Sequence, residues 1–189
     1  MNEDKLVVGL AGMPGAGKSL FVEAAVELGY AVVTMGDVIR EETRKRGLEL
    51  NPQNVGKVML ALRAEGGNCV IAEKCIPKIE GQASQRVLID GLRSLHESDA
   101  FKEYFKNYLL FAVHAAPEVR FKRLSQRGRS DDPTAYEVFR ERDLRELSVG
   151  LGNAIAMAQQ VLVNDNSIEA FKAQVKKTLE LTWEKWLKK

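Results

Sequence analysis

Along this chain, short apolar runs alternate with longer stretches of mixed polarity. Residues 6–10, Leu-Val-Val-Gly-Leu, carry no polar side chain, as a strand buried on both faces requires. Comparable runs recur at 30–34, 86–90, 108–113 and 160–164. Helix-forming sequence fills the intervals at 20–28, 37–45, 52–65, 68–79, 98–106, 117–126, 134–159 and 167–187. Asn51 followed by Pro52 reads as a helix start, because Asn caps free N–H groups and Pro fits the first turn. Gly29, Gly47 and the pair Gly66-Gly67 read as helix stops. Pro77 leaves the end of the helix at 68–79 open. Strands alternating with helices predict an α/β fold, a three-layer αβα sandwich around a mostly parallel five-stranded sheet. No repeat or linker divides residues 1–189, so one domain is expected.

In such sheets the chemistry gathers at the carboxyl ends of the strands, where Asp37, Asp90 and His114 are expected to join the segment after the first strand. That segment is the most informative in the chain. Gly12-Met13-Pro14-Gly15-Ala16-Gly17-Lys18-Ser19 fits the pattern G-x-x-x-x-G-K-[ST] completely. Glycines let successive N–H groups converge on phosphate oxygens. Lys18 is placed to reach the β- and γ-phosphates, and Ser19 to coordinate Mg²⁺. A helix opening near Gly17 aims its positive end at the same anion. The pattern therefore predicts ATP and Mg²⁺ as ligands.

Two further segments put a carboxylate and then an arginine at a strand end. They are Gly36-Asp37-Val38-Ile39-Arg40 and Asp90-Gly91-Leu92-Arg93. Carboxylates hold Mg²⁺ or its waters, and arginines clamp phosphate with paired hydrogen bonds. Asp90, after its apolar lead-in, is the candidate metal-side acid. The alternative for the first pair is that Asp37 caps a helix and Arg40 is solvated. A third cluster holds Arg123 and Arg127, four apart on one helix face, then Arg129, with Arg140 and Arg142 returning on the next helix. Such arginines neutralise charge as a phosphoryl group moves. Alternatively, they form a basic helix end balanced by Asp131 and Asp132.

Taken together these motifs resemble the P-loop nucleoside monophosphate kinases, and most closely the archaeal nucleotide-kinase-related proteins of that superfamily. The resemblance spans about residues 6–144. Gly36-Asp37-Val38-Ile39-Arg40 resembles the family's G-D-x-x-R, which implies that Arg40 binds the acceptor phosphate. Asp90-Gly91-Leu92-Arg93 resembles D-G-F-P-R, one residue shortened. Arg123, Arg127, Arg129 and Arg140, with Asp131-Asp132 between them, resemble the lid region that grips ATP. The resemblance implies a P-loop NTPase fold, a helical acceptor-binding insertion at 35–80 and a minimal lid at 123–132, in which Gly128 alone separates Arg127 from Arg129. Residues 161–169, and Asp37 as a base, resemble dephospho-CoA kinases instead. The expected activity is ATP-dependent phosphoryl transfer to a small phosphate-bearing acceptor, above all a nucleoside monophosphate. A dephospho-CoA-like kinase and a regulatory ATPase remain as alternatives.

Composition narrows this further. Charged residues make up 29% and hydrophobic ones 45% of 189 residues, and the net charge is +2. No global field points to nucleic acid or a membrane as partner. Cys69 and Cys75 are too far from the two histidines to suggest a zinc site, and they fit a reducing compartment. No apolar run approaches a membrane span, so a cytoplasmic location is expected. No guanine-specificity motif N-K-x-D follows the phosphate loop, which disfavours a GTPase.

Overall fold

The structure, a computed structural model, describes residues 3–129 and 132–188. Five strands form one sheet: β1 (Leu6–Ala11), β2 (Ala31–Thr34), β3 (Arg86–Asp90), β4 (Tyr108–His114) and β5 (Gln160–Val163). Their order is β2-β3-β1-β4-β5, and every pairing is parallel. Nine helices connect them among the described residues: α1 (Lys18–Glu27), α2 (Met35–Lys45), α3 (Pro52–Gly66), α4 (Val70–Glu80), α5 (Leu95–Tyr104), α6 (Pro117–Arg127), α7 (Tyr136–Ser148), α8 (Leu151–Ala156) and α9 (Ile168–Leu187).

The period-two alternation of the strands divides the core into two layers. Val7, Ala11, Val87 and Ile89 face one side and pack with Val38, Leu62, Ile71, Cys75 and Phe101 from α2 to α5. Val8, Leu10, Leu88, Phe111 and Val113 face the other and pack with Phe21, Ala24, Phe171, Val175 and Leu179 from α1 and α9. A parallel sheet buries both faces, so all six residues of β1 are buried. The layers form the expected αβα sandwich.

Strand β1 lies between β3 and β4. The connection after β1 runs to one side of the sheet and β4 returns on the other, so the crevice opens beyond the carboxyl end of β1. Three helices, α2 to α4, fill the interval 35–80. Asn51 accepts a hydrogen bond from the Asn54 N–H and caps α3, as its sequence suggests.

The helix expected over 134–159 is two helices. Gly150 takes φ 101°, a left-handed conformation, and ends α7 before α8 begins. The apolar pattern continues across the break, which is why periodicity alone joins the two. Helix α5 starts at Leu95 and not at 98, because Ser94 Oγ accepts from the Glu97 N–H and opens the helix earlier. Helix α2 begins directly after β2, which places Asp37 in its first turn.

Candidate active site

The loop Gly12–Gly17 leaves the buried end of β1 and turns into α1. Gly17 has φ 108°, and a Cβ there would lie 2.0 Å from Asn164 Nδ2. Only glycine fits, because the loop is closed from behind: Asn164 is buried after β5 and donates to the Ala16 carbonyl at 2.8 Å. The distant residue Asn164 thereby fixes the backbone of the loop.

Lys18 Nζ donates to the Gly12 carbonyl at 2.5 Å and to the Met13 carbonyl at 3.4 Å. Burial of the ammonium pushes its pKa down to about 8, against the pull of Asp90 and Glu146. Ser19 is exposed at the start of α1, on the cavity wall. Asp90 ends β3, and its Oδ1 is buried with no hydrogen-bond partner. A buried carboxylate oxygen without a donor suits a hydrated divalent cation. Among the described residues no group of three or more His, Cys, Asp or Glu could hold a metal. Asp90 and Ser19 therefore fit Mg²⁺ carried in with phosphates and water, not a metal caged by protein alone.

These groups line one cavity of 390 Å³. Arg93 lines it from the segment after β3, Arg123 and Arg127 from α6, Arg129 from the turn beyond, and Arg142 and Glu146 from α7. Arg123 donates to the Asn164 carbonyl at 2.8 Å, while its Nη1 is buried without a partner. Arg127 grips Asp132 with two hydrogen bonds and holds that carboxyl down to about 2. Ser130 and Asp131 of the lid motif lie outside the described residues.

Other expected residues lie elsewhere. Arg140 is exposed on α7 and does not line the cavity; Arg142, two positions on, does. Arg142 lies on the same helix face as Glu146, four residues away, and that spacing was the available signal. Asp37 and Arg40 pair with each other at 2.5 Å on the exposed side of α2. Asp37 lines a separate groove beside the edge strand β2, with Glu41, Arg44 and Lys78. His114 is exposed at the end of β4 and does not reach the cavity. The expected convergence of Asp37 and His114 with Asp90 is thus not seen. Sequence gave no hint of the pair Arg120–Asp143. Arg120 is buried after β4, donates to Asp143 at 2.8 and 2.6 Å, and reaches the Pro14 carbonyl at 3.2 Å. It joins the phosphate loop to α7, and its guanidinium also stacks on Phe139.

A phosphate loop at the switch point of a parallel sheet, with Lys18, Asp90 and five arginines on one cavity, defines a P-loop domain. Comparison with known proteins agrees. A family model described as an AAA domain matches residues 11–140. The UPF0200 protein of Hyperthermus butylicus is 46% identical over 175 residues, covering 93% of this chain and 94% of its own. That of Methanocaldococcus jannaschii is 49% identical over 166 residues, covering 87% and 84%. The chain belongs to this AAA-type P-loop family and, within it, to the archaeal UPF0200 proteins. Among solved structures, shikimate kinase from Bacteroides thetaiotaomicron superposes with a TM-score of 0.63 at 16% identity, covering 93% of this chain and 98% of its own. TT1252 from Thermus thermophilus gives 0.63 at 19%, covering 94% and 98%. These two share the fold. No helix among the described residues is long and apolar enough to cross a membrane.

Proposed function

We propose that this protein binds ATP with Mg²⁺ and transfers the γ-phosphoryl group to a small phosphate-bearing acceptor. The convergence of Lys18, Ser19, Asp90 and five arginines on one cavity carries this reading. The Gly12–Gly17 backbone holds the β-phosphate, and Lys18 leaves its own loop carbonyls for the β- and γ-oxygens. Ser19 and Asp90 would hold Mg²⁺ together with phosphate and water, and the bound ion would supply charge withdrawal from the transferring group. Arg123, Arg127 and Arg129 follow that charge from the lid side, with Arg142 beside them. Arg93 faces the acceptor. Nucleoside monophosphates are the first acceptors to test, with Asp37 and Arg40 as acceptor contacts that α2 must carry inward.

One observation favours a second reading. Arg40 is turned out of the cavity and Arg93 is paired with Glu146, so little free positive charge waits for an acceptor phosphate. A hydrolytic, regulatory ATPase and a dephospho-CoA-like kinase both gain from this.

The first experiment is thermal. Ligand at about a hundred times Kd stabilises by roughly 2.7 kcal/mol, so MgATP is expected to raise the melting temperature and Lys18→Ala to lose most of that rise. A wild type that responds to no nucleoside triphosphate would remove the basis of the proposal. ADP release measured over a panel of monophosphates, dephospho-CoA and water then separates the acceptors.

A further inference from the structure

Glu146 has no evident part in holding a nucleotide. It enters a cavity dominated by Lys18 and arginines, and its side chain is only 16% exposed. A half-buried carboxylate there repels a triphosphate, so its presence points to another purpose. The cavity already has an acid for the metal side: Asp90, at the end of β3, with a buried oxygen lacking a donor. Glu146 comes from α7 and pairs across the cavity with Arg93, the arginine assigned above to the acceptor. Its Oε1 accepts from Arg93 Nη1 at 3.3 Å, which leaves Oε2 for another contact. It lines the same cavity as Lys18.

The chemistry of the acceptor distinguishes the possible purposes. A phosphate oxygen is already deprotonated at neutral pH, since the second phosphate pKa is about 6. It needs cations and no base. A hydroxyl acceptor must lose a proton as it attacks, and a carboxylate beside it speeds the step. The cavity offers the acceptor a carboxylate and an arginine already paired with it. We propose that Glu146 is the general base for a hydroxyl acceptor, so that the accepting atom is an alcohol or water oxygen and not a phosphate oxygen. Arg93 holds Oε1 and orients the carboxylate, and Oε2 receives the proton. As the acceptor oxygen bonds to the γ-phosphorus, the bond from that phosphorus to the β,γ-bridging oxygen breaks. ADP departs with the electron pair. With water, the products are ADP and orthophosphate.

This inference rests on the phosphoryl transfer proposed above and moves its accepting atom from the phosphate of a nucleoside monophosphate to a hydroxyl, as in the dephospho-CoA-like and hydrolytic readings. The test compares wild type with Glu146→Gln and Glu146→Ala. Water and a panel of sugar and nucleoside alcohols serve as hydroxyl acceptors, and nucleoside monophosphates are scored for diphosphate formation. Glu146→Gln is expected to keep or enlarge the MgATP melting shift, with KM for ATP no higher than in the wild type, while kcat falls about a hundredfold or more. Added formate is expected to restore part of the turnover of Glu146→Ala, which a merely structural carboxylate would not allow. Turnover of Glu146→Gln within threefold of wild type overturns the assignment. So does a fall in turnover matched by loss of the ATP shift. A wild type that forms nucleoside diphosphates faster than it phosphorylates any hydroxyl, or that binds ATP and uses no hydroxyl at all, also overturns it. Absence of any ATP shift in the wild type instead sinks the phosphoryl-transfer reading itself.

Discussion

Lys18 shows how one residue links the ligand-free state to binding. Its ammonium rests on the Gly12 and Met13 carbonyls, and burial holds its pKa down to about 8. The sign follows from proton counts. Between pH 8 and about 10.5 the unfolded lysine keeps a proton that the folded one has lost, so this residue makes ligand-free stability rise with pH across that window. Nucleotide reverses the preference, because phosphate favours the charged form. Binding above pH 8 must then take up a proton. ATP affinity is expected to hold steady below pH 8 and to weaken above it by up to about tenfold per unit. Titration calorimetry at pH 9 in two buffers of different ionisation heat reads the proton directly. A dissociation constant flat from pH 7 to 10, with no buffer dependence, contradicts this. The motif predicted Lys18 from sequence, but its lowered pKa arises from burial, which outweighs the opposing pull of Asp90 and Glu146, and only the fold decides that burial and brings those carboxylates near.

At the scale of elements, α7 is the component that sequence reading resolved least well. Its end depends on Gly150, whose φ of 101° costs any other residue strain. The nearest atom to an added Cβ is 3.7 Å away, so Gly150→Ala meets no clash and isolates the backbone term. A loss of about 1–2 kcal/mol is expected in urea unfolding. An unchanged midpoint would mean that the chain relaxes around the site. The helix is also tied to the phosphate loop by Asp143 and Arg120, whose side chains are 14% and 5% exposed. Asp143→Asn leaves a buried guanidinium without its counter-charge, and about 3–5 kcal/mol of stability is expected to go with it. Arg120 also donates to the Ala115 carbonyl at 3.1 Å, and a cost under about 1 kcal/mol would show that the Pro14 and Ala115 carbonyls and solvent satisfy it unaided. Charge spacing could not reveal this pair, because the residues lie 23 apart in sequence on different helices.

For the molecule as a whole, the proposed phosphoryl transfer makes the balance between transfer and hydrolysis depend on the short segment that resembles a lid. A single glycine separates Arg127 from Arg129, so a lid built on this segment would carry charge to the phosphates but shield little area. ADP release from MgATP without acceptor is therefore expected. Arg127→Ala and Arg129→Ala are each expected to lower turnover by up to about a thousandfold, and ATP affinity by less, since their contacts strengthen as charge shifts. Full turnover in both variants would return these arginines to a solvated helix end. Much of this protein follows from sequence alone. The five parallel strands and the phosphate loop are local patterns: apolar runs of strand length, and glycines followed by Lys18 and Ser19 within eight residues. Asp90 and Arg93 are legible because a strand end places them on the active edge of any such sheet. The tertiary structure decided the rest. It put Arg142 and not Arg140 in the cavity, paired Asp37 with Arg40 outside it, and closed the loop from behind with Asn164. It also brought Glu146 to Arg93, 53 residues away. Those outcomes depend on how α2 and α7 rotate and dock against the sheet, and packing between distant elements fixes that, not the local order of residues.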